Sequence, residues 1–540
     1  MPATYEFILM GLLHLPATLL LLTLLIPNRV ANQHVTLFRS AVRFLAAFQI
    51  VVAASLFSAW MLGVIPNLNV VFIASSDPFP LAFATFYDGL SGLMLTLVAF
   101  VGWVICSYSI RYLDGEQTQG RYLRWTAFTI GAVSTMTISG NLAMFFVAWV
   151  LTSLGLHMLL LHYAERPAAR RAAWTKFAIS RVGDAALIIA IVLIYLEFGT
   201  LDFAALFASV KTLDETTTGL TVACFLLVIG AITKSAQFPL HTWLPLTMET
   251  PTPVSALMHA GIVNAGGYLV IRTSPLLAET PAALTTLAVI GGVTACFGAV
   301  VMITQSGVKN ALAYSTIAQM GFMMLQCGLG AFSAAMLHIV AHSLYKAYAF
   351  LSSGSVITEA TSIPRSTQAS SPLGILSLVP MAALSILILM GSMLLFGLNP
   401  LTKPGGLLLG GVFCCALTFW LANALQAGNR RLVLPAIGIV VALCVVYSAT
   451  YAATDAIVSG NLPKDAQPNF SIAVTSLFIV AFIGLFAIQW LSFSNSSTAK
   501  AWYVHASNGF YVDALCRRLA TELSAFVYGR VRPRSPQEHV

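Results

Sequence analysis

Several lysines and histidines lie inside stretches that are otherwise apolar. Such positions need a reason, because an ionisable group at the centre of a membrane helix costs roughly 2.5–3.5 kcal/mol on insertion scales. Lys234 sits in Ala231-Ile232-Thr233-Lys234-Ser235-Ala236-Gln237, just before Pro239. Low dielectric removes part of a lysine's preference for its charged form, so a buried lysine can accept and release protons, which makes Lys234 a candidate proton carrier. The competing reading is a lysine snorkelling to the interface, since the apolar run ends close by. His338, His342 and Lys346 are spaced four apart, and helix geometry puts all three on one face. Histidine titrates near neutral pH and passes protons between its two ring nitrogens, so this stripe suits a relay. A structural role and metal binding at i, i+4 are the alternatives, although no acidic or cysteine ligand is close in sequence to complete a metal site. His259 and Asn264 follow Pro251-Thr252-Pro253, and Lys309 opens the next polar helix; each could extend a hydrated path. Arg181 and Asp184, three apart on a helix, either neutralise each other structurally or take part in function.

The elements that position these residues follow from composition. Of 540 residues, 58% are hydrophobic and only 9% charged, too little polar surface to cover a soluble globule, so lipid is the solvent. Apolar runs of membrane-spanning length predict an all-α polytopic membrane protein of about fourteen or fifteen helices. They lie near 5–27, 41–64, 88–110, 125–140, 141–162, 174–196, 218–238, 253–272, 283–304, 310–328, 333–356, 373–397, 405–426, 432–453 and 470–493, the Thr-rich 125–140 segment being the least apolar. The first run passes into Pro27-Asn28-Arg29 without a small-residue cleavage site and is expected to remain as a helix.

The net charge of +8 is spread over loops at alternating helix ends, which argues against a nucleic-acid surface. Arg29, Arg39, Arg43, Arg111, Arg121, Arg124, Arg166, Arg170, Arg171, Lys176, Arg365, Arg430 and Arg431 fall on one side, which the positive-inside rule makes cytoplasmic, with the N-terminus outside. The eight cysteines show no CxxC pair or ligand spacing, and no metal or cofactor is expected in this chain. Proline removes a backbone donor and frees a carbonyl, which lipid does not tolerate without protein or water in its place. Breaks are therefore expected at Pro239 and at Pro400, and such paired broken helices are a mark of inverted-repeat transporters; the bland reading is that these prolines end helices at the surface.

The segments Lys234 to Pro245, Pro251 to Ala260, Leu312 to Gly321 and His338 to Gly354, taken together at these intervals, resemble the antiporter-like subunits of respiratory complex I and of multisubunit cation/proton antiporters. The resemblance covers roughly 85–425. It implies two inverted five-helix repeats and a polar axis at the midplane, with Lys234, His259, Lys309, His338, His342 and Lys346 in the family's proton path. The implied organisation is N-terminal helices over 1–115, the antiporter-like core over 116–427, C-terminal helices over 428–495 and a basic cytoplasmic tail over 496–540.

Three departures narrow the resemblance. The family's glutamate beside a tryptophan on the fifth helix falls at Val150, leaving Asp184 or Glu249 as candidate replacement acids. The lysine expected on the broken twelfth helix falls near Leu401, with Lys403 two residues on. The long lateral helix of the largest complex I relative has no counterpart after Asp513 in the sequence given. These features are more similar to the membrane subunit of the DabA/DabB inorganic carbon transporters. That likeness implies a cation path, proton or sodium, coupled to a DabA-like soluble zinc protein resembling a β-carbonic anhydrase, with the zinc in that partner and the complex in a bacterial inner membrane. A proton-pumping subunit of a redox complex, an Mrp-type sodium/proton antiporter subunit and a membrane scaffold are the competing classes.

Overall fold

The computed structural model describes residues 4–74, 82–355, 378–399, 405–426, 433–463, 477–485, 497–516 and 518. Helices dominate it: α1 (Thr4–Leu22), α2 (Asn28–Gln33), α3 (Val35–Met61), α4 (Gly89–Tyr112), α5 (Gln119–Thr137), α6 (Leu142–Leu160), α7 (Pro167–Phe198), α8 (Phe203–Val210), α9 (Thr218–Lys234), α10 (Trp243–Leu246), α11 (Thr252–Ala260), α12 (Ala265–Arg272), α13 (Ser274–Ala278), α14 (Pro281–Met302), α15 (Val308–Gly328), α16 (Phe332–Leu351), α17 (Leu378–Leu395), α18 (Gly406–Gln426) and α19 (Val433–Val458). Residues 477–485 and Ser497–Ser507 are also helical. Among the described residues, ten helices are long and apolar enough to cross a membrane by length and composition. The chain is a multi-pass membrane protein.

The all-helical expectation needs one correction. Strands β1 (Leu68–Ala74) and β2 (Ala82–Tyr87) form an antiparallel hairpin between α3 and α4, where the sequence predicts only a connection between helices. The β-branched and aromatic residues of Asn69-Val70-Val71-Phe72-Ile73 and Phe83-Ala84-Thr85-Phe86-Tyr87 suit a pleated ribbon.

The Thr-rich segment is a fully formed and largely buried α5. Its hydroxyls are satisfied inside the helix, with Thr126, Thr129, Ser134 and Thr135 each donating to the carbonyl four residues back. Low hydropathy there records an interior-facing helix, since self-bonded hydroxyls need no water. α15 and α16 likewise mix polar with apolar residues and pack against each other inside the bundle.

Small residues set a close crossing of α14 and α15. A Cβ on Gly321 of α15 would collide with the Ala295 amide and lie 2.7 Å from the Gly291 carbonyl, and one on Gly298 would lie 2.6 Å from the Ala318 amide. α14 and α15 therefore meet backbone to backbone, as small residues permit in membranes. Gly321→Leu is expected to prise them apart and destabilise the chain by roughly 1–3 kcal/mol. A lowered Tm in detergent checks this, and an unchanged Tm removes the crossing from the account.

Two interruptions lie next to one another inside the bundle. α9 ends at Lys234, five residues before Pro239, so the proline lies in the non-helical connector to α10 and is not the point of breakage. The second has no counterpart among the sequence expectations: the helix predicted over 253–272 is split into α11 and α12 by Gly261 and the 3₁₀ turn Ile262–Asn264. Ser235 Oγ donates to the Val263 carbonyl at 2.6 Å, so one break supplies a hydrogen-bond donor to the other. Pro400, Leu401 and Lys403 lie outside the described residues, as do most of the expected helix at 470–493 and much of the basic tail.

Candidate functional site

Lys234, the last residue of α9, is 5% exposed. Its Nζ donates to Thr152 Oγ1 at 2.8 Å and to the Trp149 carbonyl at 3.1 Å, and it lies 4.4 Å from the centre of the Trp149 ring. All three partners belong to α6. The lysine thus points into the bundle and does not snorkel, and the aromatic face is a favourable seat for its charged form.

The acid is on α7. Trp149 Nε1 donates to Asp184 Oδ1 at 3.0 Å, so one indole links carboxylate and lysine, its edge on the first and its face under the second. Glycines bring α7 and α9 together. Gly183 lies directly against Thr233 Oγ1, and a Cβ on Gly230 would sit 2.6 Å from Leu187. Arg181 pairs with the other Asp184 oxygen at 2.5 Å, with the arginine side chain 42% exposed and the aspartate 8%. Glu249, the other candidate acid, is exposed and faces Arg166 at 3.9 Å, so it is not the replacement for the Val150 position. It fails because the connector after α10 carries it to the surface.

The histidine stripe forms a second cluster. His259 on α11 shares a 2.9 Å hydrogen bond with Thr316 Oγ1 of α15 and stacks on Phe350 of α16, ring centres 4.4 Å apart. The His342 ring of α16 lies 5.9 Å from that of His338, which shares a 2.9 Å bond with Gln326 Oε1. Lys346 is fully buried and donates to the Leu312 carbonyl at 3.2 Å. Asn264, in the α11–α12 break, donates to the Ala260 carbonyl and to Ser343 Oγ, each at 2.9 Å. With Ser235 bonded to Val263, the polar contacts run from the Lys234 end of α9 through the break to α16.

Along this line His259 Nε2, His342 Nε2 and Asn264 Oδ1, and in the α9–α10 connector Gln237 Oε1 and His241 Nδ1, are buried with no hydrogen-bond partner among the described residues. Buried polar atoms in this state are suited to binding water, the medium of proton movement. A cavity of about 490 Å³ opens on His338, His342 and Gln326 from the side of α18 and α19, where Tyr447 and Thr450 add to its polar lining. Lys309 is placed differently from the other expected residues. It occupies the first turn of α15 and is only half-buried, with no part in the interior cluster. Among the described residues no three His, Cys, Asp or Glu side chains converge to hold a metal ion.

Sequence reasoning missed two features. Lys176, expected in a cytoplasmic loop, is 2% exposed within α7, and its Nζ donates to the Ser153 carbonyl at 2.8 Å and to Ser153 Oγ at 2.7 Å. Its nearness in sequence to Arg170 and Arg171 disguises it. The helix begins at Pro167 and not near 174, so Lys176 lies beyond its first two turns instead of at its start, and it is turned toward α6. The other feature is the pair Asp88–Arg272, both buried, with Arg272 Nη1 and Nη2 donating to the two carboxylate oxygens at 2.8 and 3.0 Å.

Residues 139–408 match the family described as NADH:quinone oxidoreductase/Mrp antiporter, TM, and residues 72–123 match NADH-Ubiquinone oxidoreductase (complex I), chain 5 N-terminus. The chain is 39% identical over 462 residues to a protein of Halothiobacillus neapolitanus named as a probable inorganic carbon transporter subunit, DabB2, covering 84% of this chain and 83% of that one. It is 36% identical over 433 residues to the similarly named DabB of Hydrogenovibrio crunogenus, covering 80% and 81%. Among solved structures, a chain of the Mrp complex from Dietzia sp. superposes with a TM-score of 0.65 at 25% identity, over 99% of this chain and 61% of that one.

Proposed function

The chain belongs to the DabB family of inorganic carbon transporter subunits, on the membrane core shared with NADH:quinone oxidoreductase and Mrp antiporter proteins, and from that premise we propose that it conducts protons as the membrane subunit of an energy-coupled complex that accumulates CO₂ and bicarbonate. The observation that carries this reading is the buried polar line from Lys234, across the adjoining helix breaks, to the His259, His342 and Lys346 cluster. A membrane bundle keeps ionisable groups inside at a cost of several kcal/mol, which function rather than stability explains. The partner is a DabA-like soluble zinc protein that hydrates carbon dioxide, and the two act at a bacterial inner membrane. Inward proton flow then drives a conformational or proton-withdrawal step in the partner, which makes hydration effectively one-way.

Asp184 takes the place of the carboxylate that Val150 lacks. Asp184→Asn keeps the size and the acceptor for Trp149 Nε1 but removes the charge that favours a proton on Lys234. Loss of one charge-assisted interaction, of order 1.5–3 kcal/mol, is expected to lower proton flux about tenfold or more at unchanged membrane abundance. Unaltered flux would return the Arg181–Asp184 pair to a structural role. The reading as a whole is tested by affinity capture of the chain from native membranes, followed by growth of cells lacking carbonic anhydrase at ambient carbon dioxide. Capture of one large zinc protein, and growth when both chains are expressed, is the expected outcome. Capture of flavin and iron-sulfur subunits without growth would overturn it.

A further inference from the structure

We propose that Lys176 and His157 form the segment that carries the proton between Lys234 and the cytoplasmic surface. This rests on Lys234 being a proton carrier and adds two residues outside the line described above. The two lysines come from different helices and meet α6 at consecutive residues, Lys234 Nζ at Thr152 Oγ1 and Lys176 Nζ at Ser153 Oγ, 2.8 and 2.7 Å respectively. Successive residues of a helix project from adjoining parts of its surface, so the two amines reach α6 side by side at the same level, one from α9 and one from α7.

The hydrogen-bond partners of Lys176 are neutral. Its two acceptors are Ser153 oxygens, and no carboxylate lies within ion-pair distance of it among the described residues. The charged groups on neighbouring elements are Lys234 of α9 and, on α7 itself, Arg181 and Asp184, which already bind each other. A permanently charged lysine buried this way would be expensive, whereas one that alternates between amine and ammonium serves a transfer path.

His157 continues the line. It follows Ser153 by four residues on α6 and so faces the same way. Its Nδ1 lies 3.2 Å from the Ala173 carbonyl, which holds the proton on Nδ1 and leaves Nε2 free to accept another. The residue is 8% exposed and packs on Trp174, which is 58% exposed at the end of α7 that carries Arg170 and Arg171. Each step moves one proton with its charge, from the Lys234 ammonium to the Lys176 amine and from the Lys176 ammonium to His157 Nε2, and no other bond changes.

The test is proton flux in inverted membrane vesicles containing the chain and its captured partner, followed with a pH-sensitive dye under an imposed gradient and normalised to abundance by immunoblot. Lys176→Gln is expected to lower flux at least tenfold. Lys176→Arg is expected to do the same, because a guanidinium keeps the charge without releasing a proton, and Lys176→His to retain a measurable fraction. Wild-type flux in either Lys176→Arg or Lys176→Gln, with Lys234→Ala inactive, overturns the inference. Wild-type flux in Lys234→Ala overturns instead the reading on which it rests.

Discussion

Lys234→Ala is expected to reduce proton-coupled inorganic carbon accumulation by about a hundredfold or more, the lower range of what a positioned proton-transfer group contributes, with the chain still present in the membrane at normal abundance. The substitution removes the amine that meets both Thr152 Oγ1 and the face of Trp149, and so disconnects Asp184 from the α9 end of the polar line. It should not unfold the bundle. The lysine's own partners are a hydroxyl that also donates to the Trp149 carbonyl and a helix carbonyl, both of which keep other bonds or helix neighbours when it is lost. Lys346→Ala is expected to act in the same way at the other end, where Lys346 donates to the Leu312 carbonyl. Uptake of labelled inorganic carbon, set against immunoblot abundance, separates loss of transport from loss of protein. Near-normal uptake in either variant would remove that residue from the path.

Arg272→Ala is expected to fail at an earlier stage, by destabilising the chain by about 3–5 kcal/mol, because breaking a buried pair strands its partner charge. Asp88 caps the start of α4 by accepting from the Ser91 amide, and its carboxylate takes both arms of the Arg272 guanidinium together with Asn461 Nδ2 at 2.8 Å. Arg272 also reaches Ser91 Oγ at 2.6 Å and Tyr268 Oη at 3.1 Å. One ion pair thus fastens α4, α12 and the turn after α19, which belong to three distant parts of the chain. The expected readout is low abundance and a clearly lowered Tm in detergent. Removing both charges, as in Asp88→Asn with Arg272→Gln, is expected to recover part of the loss. A single variant with wild-type Tm would show that the pair contributes little.

How much was legible in the sequence depended on whether a residue's setting is local. Lys234, His338, His342 and Lys346 stood out because polar side chains interrupt apolar runs, and helical spacing alone put the last three on one face. The structure brings His342 and Lys346 into the interior with His259, a meeting between α11 and α16 that no local pattern announces. Lys176 was hidden by its basic neighbours, and its inward direction is set by Ser153, 23 residues away. Asp88 and Arg272 sit at helix ends, where charge is ordinarily solvated, and their separation of 184 residues left no sign of pairing. Lys309 and Glu249 lie away from the interior cluster for the opposite reason, since proximity to a family-like segment says nothing about the side a helix terminus faces. Long apolar helices were readable from hydropathy, but the break at Gly261 was not, because it contains no proline and its polar groups are bonded by Asn264 and Ser235.

The most direct test of the central claim is inorganic carbon uptake by cells that express this chain with its captured partner, measured with and without a protonophore. Uptake well above that of cells carrying either chain alone, collapsing when the proton gradient is dissipated, is the predicted result. Uptake that persists unchanged without the gradient, or no uptake with both chains present in the membrane, would contradict it.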